Sequence, residues 1–180
     1  MKPLYHGTTF LFDTIDPNMG SGYKDFGKGF YATASVQHAE RMALRNKRIL
    51  AEKQNRSDEK TPIFAYVYDL EFDDSVLPTL KHKVFREGED DLEWVRFVNA
   101  NRSCPTKTHD NDIVIGATAD DATDIVFNVF RSGGYGDPNS TAAQEMLLRL
   151  LETWKLPRQY WFSVDGAKLA LRIVKRRSVR

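Results

Sequence analysis

The chain has 180 residues, 41% apolar and 28% charged, with 26 basic against 25 acidic side chains and a formal net charge of +1. That length suits one domain with a full core. So even a balance argues against a dedicated nucleic-acid binder, which carries a clear basic excess. Cys104 is the single cysteine, which excludes an internal disulfide and leaves no cysteine–histidine metal spacing.

In chain order, Leu4 to Thr8 reads as a first strand, and Phe10 to Tyr23, rich in Asp, Pro, Gly and Asn, as a loop with Phe12 and Ile15 turned inward. Asp25-Phe26-Gly27-Lys28-Gly29 is a glycine corner, because glycine tolerates positive φ and close approach. It feeds a short strand at Phe30–Ala32. Ser35 is a good N-cap, and Val36, Ala39, Ala43 and Leu50 keep helical spacing to about Lys53. Gln54 to Thr61 is a polar loop. Pro62 then opens a strand over Ile63–Leu70. Acidic residues from Glu87 to Asp91 precede a helix from about Asp90 to Ala100, since carboxylates favour a helix start.

A polar loop through Cys104 and Pro105 leads to a buried strand, Asp112–Gly116, and Asp121–Phe130 is helical. Gly133 to Pro138 is a turn. Ser140 or Thr141 caps an amphipathic helix, with Thr141 and Gln144 in capping-box spacing and an apolar stripe of Ala143, Met146, Leu147, Leu150, Leu151 and Trp154. Pro157 breaks that pattern before a strand at Gln159–Phe162, a short helix near Asp165–Leu169 and an edge strand at Leu171–Val174. Lys175-Arg176-Arg177 and Arg180 read as a solvated basic tail. Strands and helices mix without regular alternation, which argues α+β rather than a doubly wound parallel sheet. No apolar run approaches the roughly 18 residues of a membrane helix, and Met1-Lys2-Pro3 enters structure with no apolar signal region behind it. A soluble cytoplasmic protein with one domain over residues 1–180 is expected.

Taken singly, His6 reads as a core histidine and Tyr31 as a core aromatic. Taken together, Tyr5-His6-Gly7-Thr8, Phe26-Gly27-Lys28-Gly29-Phe30-Tyr31 and a late strand opened by Gln159 resemble the ADP-ribosyltransferase superfamily, in the branch that includes the poly(ADP-ribose) polymerase catalytic core. Over nearly its whole length the chain is similar to a group of small bacterial proteins of that superfamily. That likeness runs through Trp94, Phe97-Val98, Asn101-Arg102, Asp112 to Gly116, Ala119-Asp120-Asp121 and Gln159-Tyr160-x-Phe162.

The resemblance implies an α+β fold of mainly antiparallel split sheets with flanking helices. It implies NAD as substrate, with no metal, and transfer of ADP-ribose to a macromolecular acceptor, protein or nucleic acid. A bacterial toxin or effector setting, with an antitoxin protein as partner, follows from the same likeness. Gly7 would bind the nicotinamide carboxamide through its backbone, Tyr31 would stack on the nicotinamide, and His6 would hydrogen-bond the adenosine ribose with Thr8 in support. Gly27 and Gly29 would keep the loop close to the ligand, and the His6 and Tyr31 rings would grip the two ends of one dinucleotide. Lys28 reads as a solvent-facing turn residue, with a place near the pyrophosphate as the other reading.

Gln159 stands where many relatives carry glutamate. An amide can hydrogen-bond the ribose but cannot deprotonate an acceptor or place charge beside the developing cation. Single-unit transfer or hydrolysis is therefore expected rather than polymer synthesis, and Gln159→Glu should raise nicotinamide release. The rival reading is a non-catalytic NAD or ADP-ribose binding module. Glu145 and Asp165 are substitute carboxylates with ordinary explanations, as a polar helix flank and a cap. Arg102 and Asp112 read as a structural pair, and His38, His82 and His109 as surface or helix residues.

Overall fold

Apolar residues on alternate positions of short segments build one sheet in a computed structural model that describes residues 1–55, 61–89, 91–119, 121–151 and 155–179, with 121–124 described by backbone alone. The strands are β1 (Lys2–Thr8), β2 (Phe30–Thr33), β3 (Ala65–Phe72), β4 (His82–Val84), β5 (Ile113–Ala117), β6 (Arg158–Phe162) and β7 (Leu171–Val179). The helices are α1 (Val36–Gln54), α2 (Asp91–Arg102), α3 (Asp121–Arg131), α4 (Thr141–Leu151) and α5 (Val164–Ala170). The sheet runs β4-β5-β6-β2-β1-β3-β7. Every neighbouring pair is antiparallel except β4 with β5. The protein is thus α+β, with helices packed on a mostly antiparallel sheet.

Strand alternation divides the core between the two faces. On one face Val114 and Trp161 meet Trp94, Val95, Val98, Phe127, Phe130, Leu147 and Leu151 from α2, α3 and α4. On the same side Ala65 and Val67 meet Ala39 and Ala43 of α1. On the other face Leu4, Phe30, Tyr68, Leu70, Phe72, Ile113 and Phe162 pack with Ala167 and Ala170 of α5, and Phe12 and Ile15 of the long loop join them, turned inward as expected. Phe12 stacks on Tyr68 with centroids 4.0 Å apart and hydrogen-bonds its hydroxyl through both backbone groups.

Several boundaries move. The third strand begins at Ala65 rather than Ile63. β7 runs on to Val179 because β3 pairs with it along its whole length, across a register shift at Asp69/Leu70. β4 was not expected; its three residues add in parallel to β5. Ser140 is the residue that caps α4, accepting from the Ala143 amide at 3.3 Å. Gln144 does not close a box with Thr141; its amide donates to the Pro138 carbonyl and accepts from Arg96. The expected helix start at Asp90, the stripe residue Trp154, Asp120 and Arg180 lie outside the described residues.

No described helix is long and apolar enough to cross a membrane. Among the described residues no group of three or more His, Cys, Asp and Glu is placed to hold a metal ion.

Candidate functional site

β1 and β2 share one registered pair, Tyr5 with Thr33, whereas β1 pairs with β3 over all seven of its residues. The β1–β2 junction is therefore open beyond Tyr5, and the His6 side chain reaches across the opening. Its Nδ1 lies 2.6 Å from the Tyr31 carbonyl oxygen. A carbonyl only accepts, so Nδ1 carries the proton and the neutral ring presents a lone pair at Nε2. Burial pushes the His6 pKa below its ordinary 6.5 and favours that neutral form, while the Tyr31 carbonyl acts weakly the other way. Nε2 has no hydrogen-bond partner among the described residues.

The His6 and Tyr31 rings stand on opposite faces of the sheet. His6 is in register with Tyr68 and lies 4.5 Å from the Phe30 ring, with Phe12 at 5.9 Å. Tyr31, one residue after Phe30, points the other way, stacks beside Phe26 at 6.5 Å and is in register with Trp161. Its hydroxyl donates to the Gly27 carbonyl at 2.7 Å and accepts from the Phe26 amide at 3.0 Å. That fastens the glycine corner to the strand that follows it. Burial, and next the Asp25 carboxylate, hold the phenol pKa well above 10, so it stays a donor. The two rings do not grip one ligand from the same side; what joins them is the Tyr31 backbone carbonyl.

The glycines also have packing reasons. A Cβ on Gly7 would lie 1.8 Å from the Ala39 carbonyl oxygen, so α1 can seat on β1 only over a glycine. A Cβ on Gly29 would lie 2.2 Å from Trp161 Nε1, and Gly27 turns the corner at φ +80°. Thr8 is buried, and its hydroxyl accepts from the Phe10 amide, shaping the exit from β1.

Gln159 is on the Tyr31 face, in register with Thr33 and Gly116. Its Nε2 donates to Asp25 Oδ2 at 2.6 Å and to the Ala117 carbonyl at 3.1 Å. Asp25 also accepts from the Ala119 amide and from Arg102, whose side chain is 8% exposed, as is that of Asp25. Arg102 donates in addition to the Ala119 carbonyl. The salt bridge expected between Arg102 and Asp112 is therefore replaced by one between Arg102 and Asp25. Asp112 instead accepts from the Lys81 amide and the Ser163 hydroxyl.

This carboxylate, guanidinium and amide form one buried network beneath the Tyr31 hydroxyl. Asp25, first residue of the glycine-corner stretch, is the member that sequence reasoning did not single out. A buried carboxylate beside that corner calls for a cation and donors, but its partners lie 77 and 134 residues away, so no local pattern announced them. His109, read as a surface or helix residue, is instead packed between Phe97 and Trp161, each ring 4.8 Å away, with Nε2 on the Phe26 carbonyl. Glu145 and Asp165 are both exposed.

Residues 2–172 match the model of a family described as a protein of unknown function (DUF3990). No curated protein matches the chain.

Proposed function

The chain belongs to that family, whose description states no activity, and we propose from its own residues that it binds NAD and transfers a single ADP-ribose unit to a macromolecular acceptor with release of nicotinamide. One observation carries this reading. The two motifs that resemble ADP-ribosyltransferases meet across the opened β1–β2 junction, where His6 Nδ1 bonds the Tyr31 carbonyl and leaves Nε2 without a partner. A neutral imidazole with an unengaged lone pair suits the hydroxyl proton of a ribose.

The reaction asks little acid chemistry of the protein. Breaking the bond between nicotinamide and ribose builds oxocarbenium character on the sugar, and the leaving ring departs neutral. Orientation of the sugar and approach of the acceptor are the main requirements. In this reading His6 orients a ribose hydroxyl. Gly7 offers backbone groups beside the opening, and Tyr31 and the Gly27–Gly29 corner form a rigid support. Gln159 acts through Asp25 rather than on the ribose. A toxin or effector role with an antitoxin partner rests on the resemblance alone, and a cytoplasmic location on the sequence composition.

The second reading, a non-catalytic NAD or ADP-ribose binding module, is favoured by one observation: the Gln159 amide is already held by Asp25 and Ala117. Nicotinamide release from labelled NAD, with mass spectrometry of added protein and RNA, separates the two. Turnover that disappears in His6→Ala, with the circular dichroism spectrum unchanged, supports transfer. NAD binding without release supports the module. Unchanged turnover in His6→Ala removes His6 from the site, and neither binding nor release overturns both readings.

A further inference from the structure

The two borders of the sheet differ. At one, β4 offers three residues. At the other, β7 runs for nine residues and pairs with β3 alone, so the backbone groups on its far side meet no strand among the described residues. Val174, Lys175, Arg176 and Ser178 are exposed along it. A border of this kind is a template for one more strand.

The side chains narrow what that strand can be. β7 carries four cations and no carboxylate. Two of the four are engaged: Arg172 pairs with Glu71, and Arg177 with Glu40 at 3.0 Å and Asp69 at 3.4 Å. Asp69 stands in register with Lys175 but bonds Arg177, and no partner of Lys175 lies among the described residues. The Arg176 guanidinium lies 5.9 Å from the centroid of the Tyr66 ring and pairs with no carboxylate among them. The surplus is therefore two adjacent cations, which strand alternation sends to opposite faces of the sheet. The register shift at Asp69/Leu70 leaves Val174 unmatched, so residues 175–179 form a regular stretch beyond the bulge.

Antiparallel pairing of two copies through this stretch would set cation against cation, which disfavours a second copy as the occupant. A nucleic-acid strand answers the charge but not the row of outward backbone donors and acceptors. An extended acidic peptide answers both: its main chain continues the ladder, and its carboxylates meet the two free cations.

We propose that β7 is a docking edge for an extended acidic segment of a partner protein, added as an eighth strand over residues 175–179 with neighbouring carboxylates opposite Lys175 and Arg176. The edge goes beyond the NAD reading and does not depend on it.

The test is a titration of the full chain with a capped peptide of valine and threonine that carries two adjacent glutamates at its centre, followed by the backbone ¹H–¹⁵N signals of residues 175–179. Those signals should shift and their amide exchange should slow. Lys175→Glu and Arg176→Glu should each weaken binding about tenfold, since an opposite-charge pair becomes a like-charge pair. A peptide with two lysines in place of the glutamates should bind the double variant and not the native chain. Strand addition is read separately on the native chain with peptides N-methylated at alternate residues, which keep every charge and lose the N–H donors of one edge. One of the two methylated peptides should lose binding at least about tenfold and the other retain it, because only one edge of the peptide faces β7.

Equal binding of both methylated peptides overturns the inference, since charge alone would then account for it. So does the absence of any shift at ~1 mM peptide, or shifts confined to residues outside 171–179. A single-stranded oligonucleotide that binds residues 175–179 more tightly than the peptide at ~150 mM salt assigns the strand to nucleic acid and overturns it as well. NAD should not displace the peptide, so a failure of NAD binding leaves this edge standing, and loss of peptide binding leaves the His6 reading untouched.

Discussion

His6 and Gln159 both come from strands that border β2, and the structure treats them in opposite ways. The His6 ring has one nitrogen fixed by the Tyr31 carbonyl and the other without a partner. The Gln159 amide is buried and donates twice, to Asp25 and to Ala117. Motif likeness nominated both, Gln159 as a departure from the usual glutamate. Hydrogen-bonding capacity distinguishes them: a group that keeps a ring nitrogen unengaged can meet a ligand, and a group whose donors are held by its neighbours sets the position of those neighbours.

That contrast can be broken most forcefully at Asp25. Asp25→Ala leaves the Arg102 guanidinium buried without its carboxylate and removes the acceptor for Gln159 and the Ala119 amide. Breaking a buried pair of this kind should cost about 3–5 kcal/mol, read as a lower midpoint in urea unfolding. A loss below ~1 kcal/mol would show the network to be dispensable.

Gln159→Glu sharpens the comparison next. A carboxylate there faces the Asp25 carboxylate and forfeits two donated bonds. Stability at neutral pH should fall by about 2 kcal/mol. The deficit should narrow in mild acid, because the crowded pair takes up a proton more readily folded than unfolded. Raised nicotinamide release with unchanged stability would return Gln159 to the ribose.

Gly7→Ala tests the packing reason for a motif glycine. The added methyl meets the Ala39 carbonyl, and α1 must shift, at about 1–3 kcal/mol by thermal unfolding.

The smallest effect concerns His6. Its folded pKa is depressed, so the folded state binds fewer protons than the unfolded chain near and below the ordinary 6.5. Its contribution is complete above that value and is lost as pH falls through the folded pKa. His109 has the same sign, lowered first by burial. Melting temperature should therefore decline from about pH 7 toward pH 5, and His6→Gln should flatten part of that slope. An identical slope in the variant would place the imidazole in water.

Local pattern carried most of the fold. The Ser35 cap of α1 is observed, with its hydroxyl accepting from the His38 amide, and so is the apolar run of β5. β4 was illegible because three residues paired on one side leave no alternation to read. β7 was underestimated because its later residues are basic and half exposed, and only the partner strand β3 makes them a strand. Within the site, His6, Gly7 and the glycine corner were legible as motifs. The Asp25–Arg102–Gln159 network was not, since it joins three distant segments by burial alone. Nor was the placement of the His6 and Tyr31 rings on opposite faces, which depends on a register that neither motif contains.

The place of β6 in the strand order has a consequence for how the molecule assembles. It lies between β5 and β2, so residues 158–162 splice a β4–β5 half to a β2–β1–β3 half, to which β7 is added last. Until that segment emerges during synthesis, each half exposes an unpaired border and part of its apolar surface. Closure then requires contacts between chain regions more than a hundred residues apart, which makes folding slow and gives chaperones a window to act. A nascent chain stopped before residue 158 should be held in a protease-sensitive state, and one that has released both β6 and β7 should become resistant.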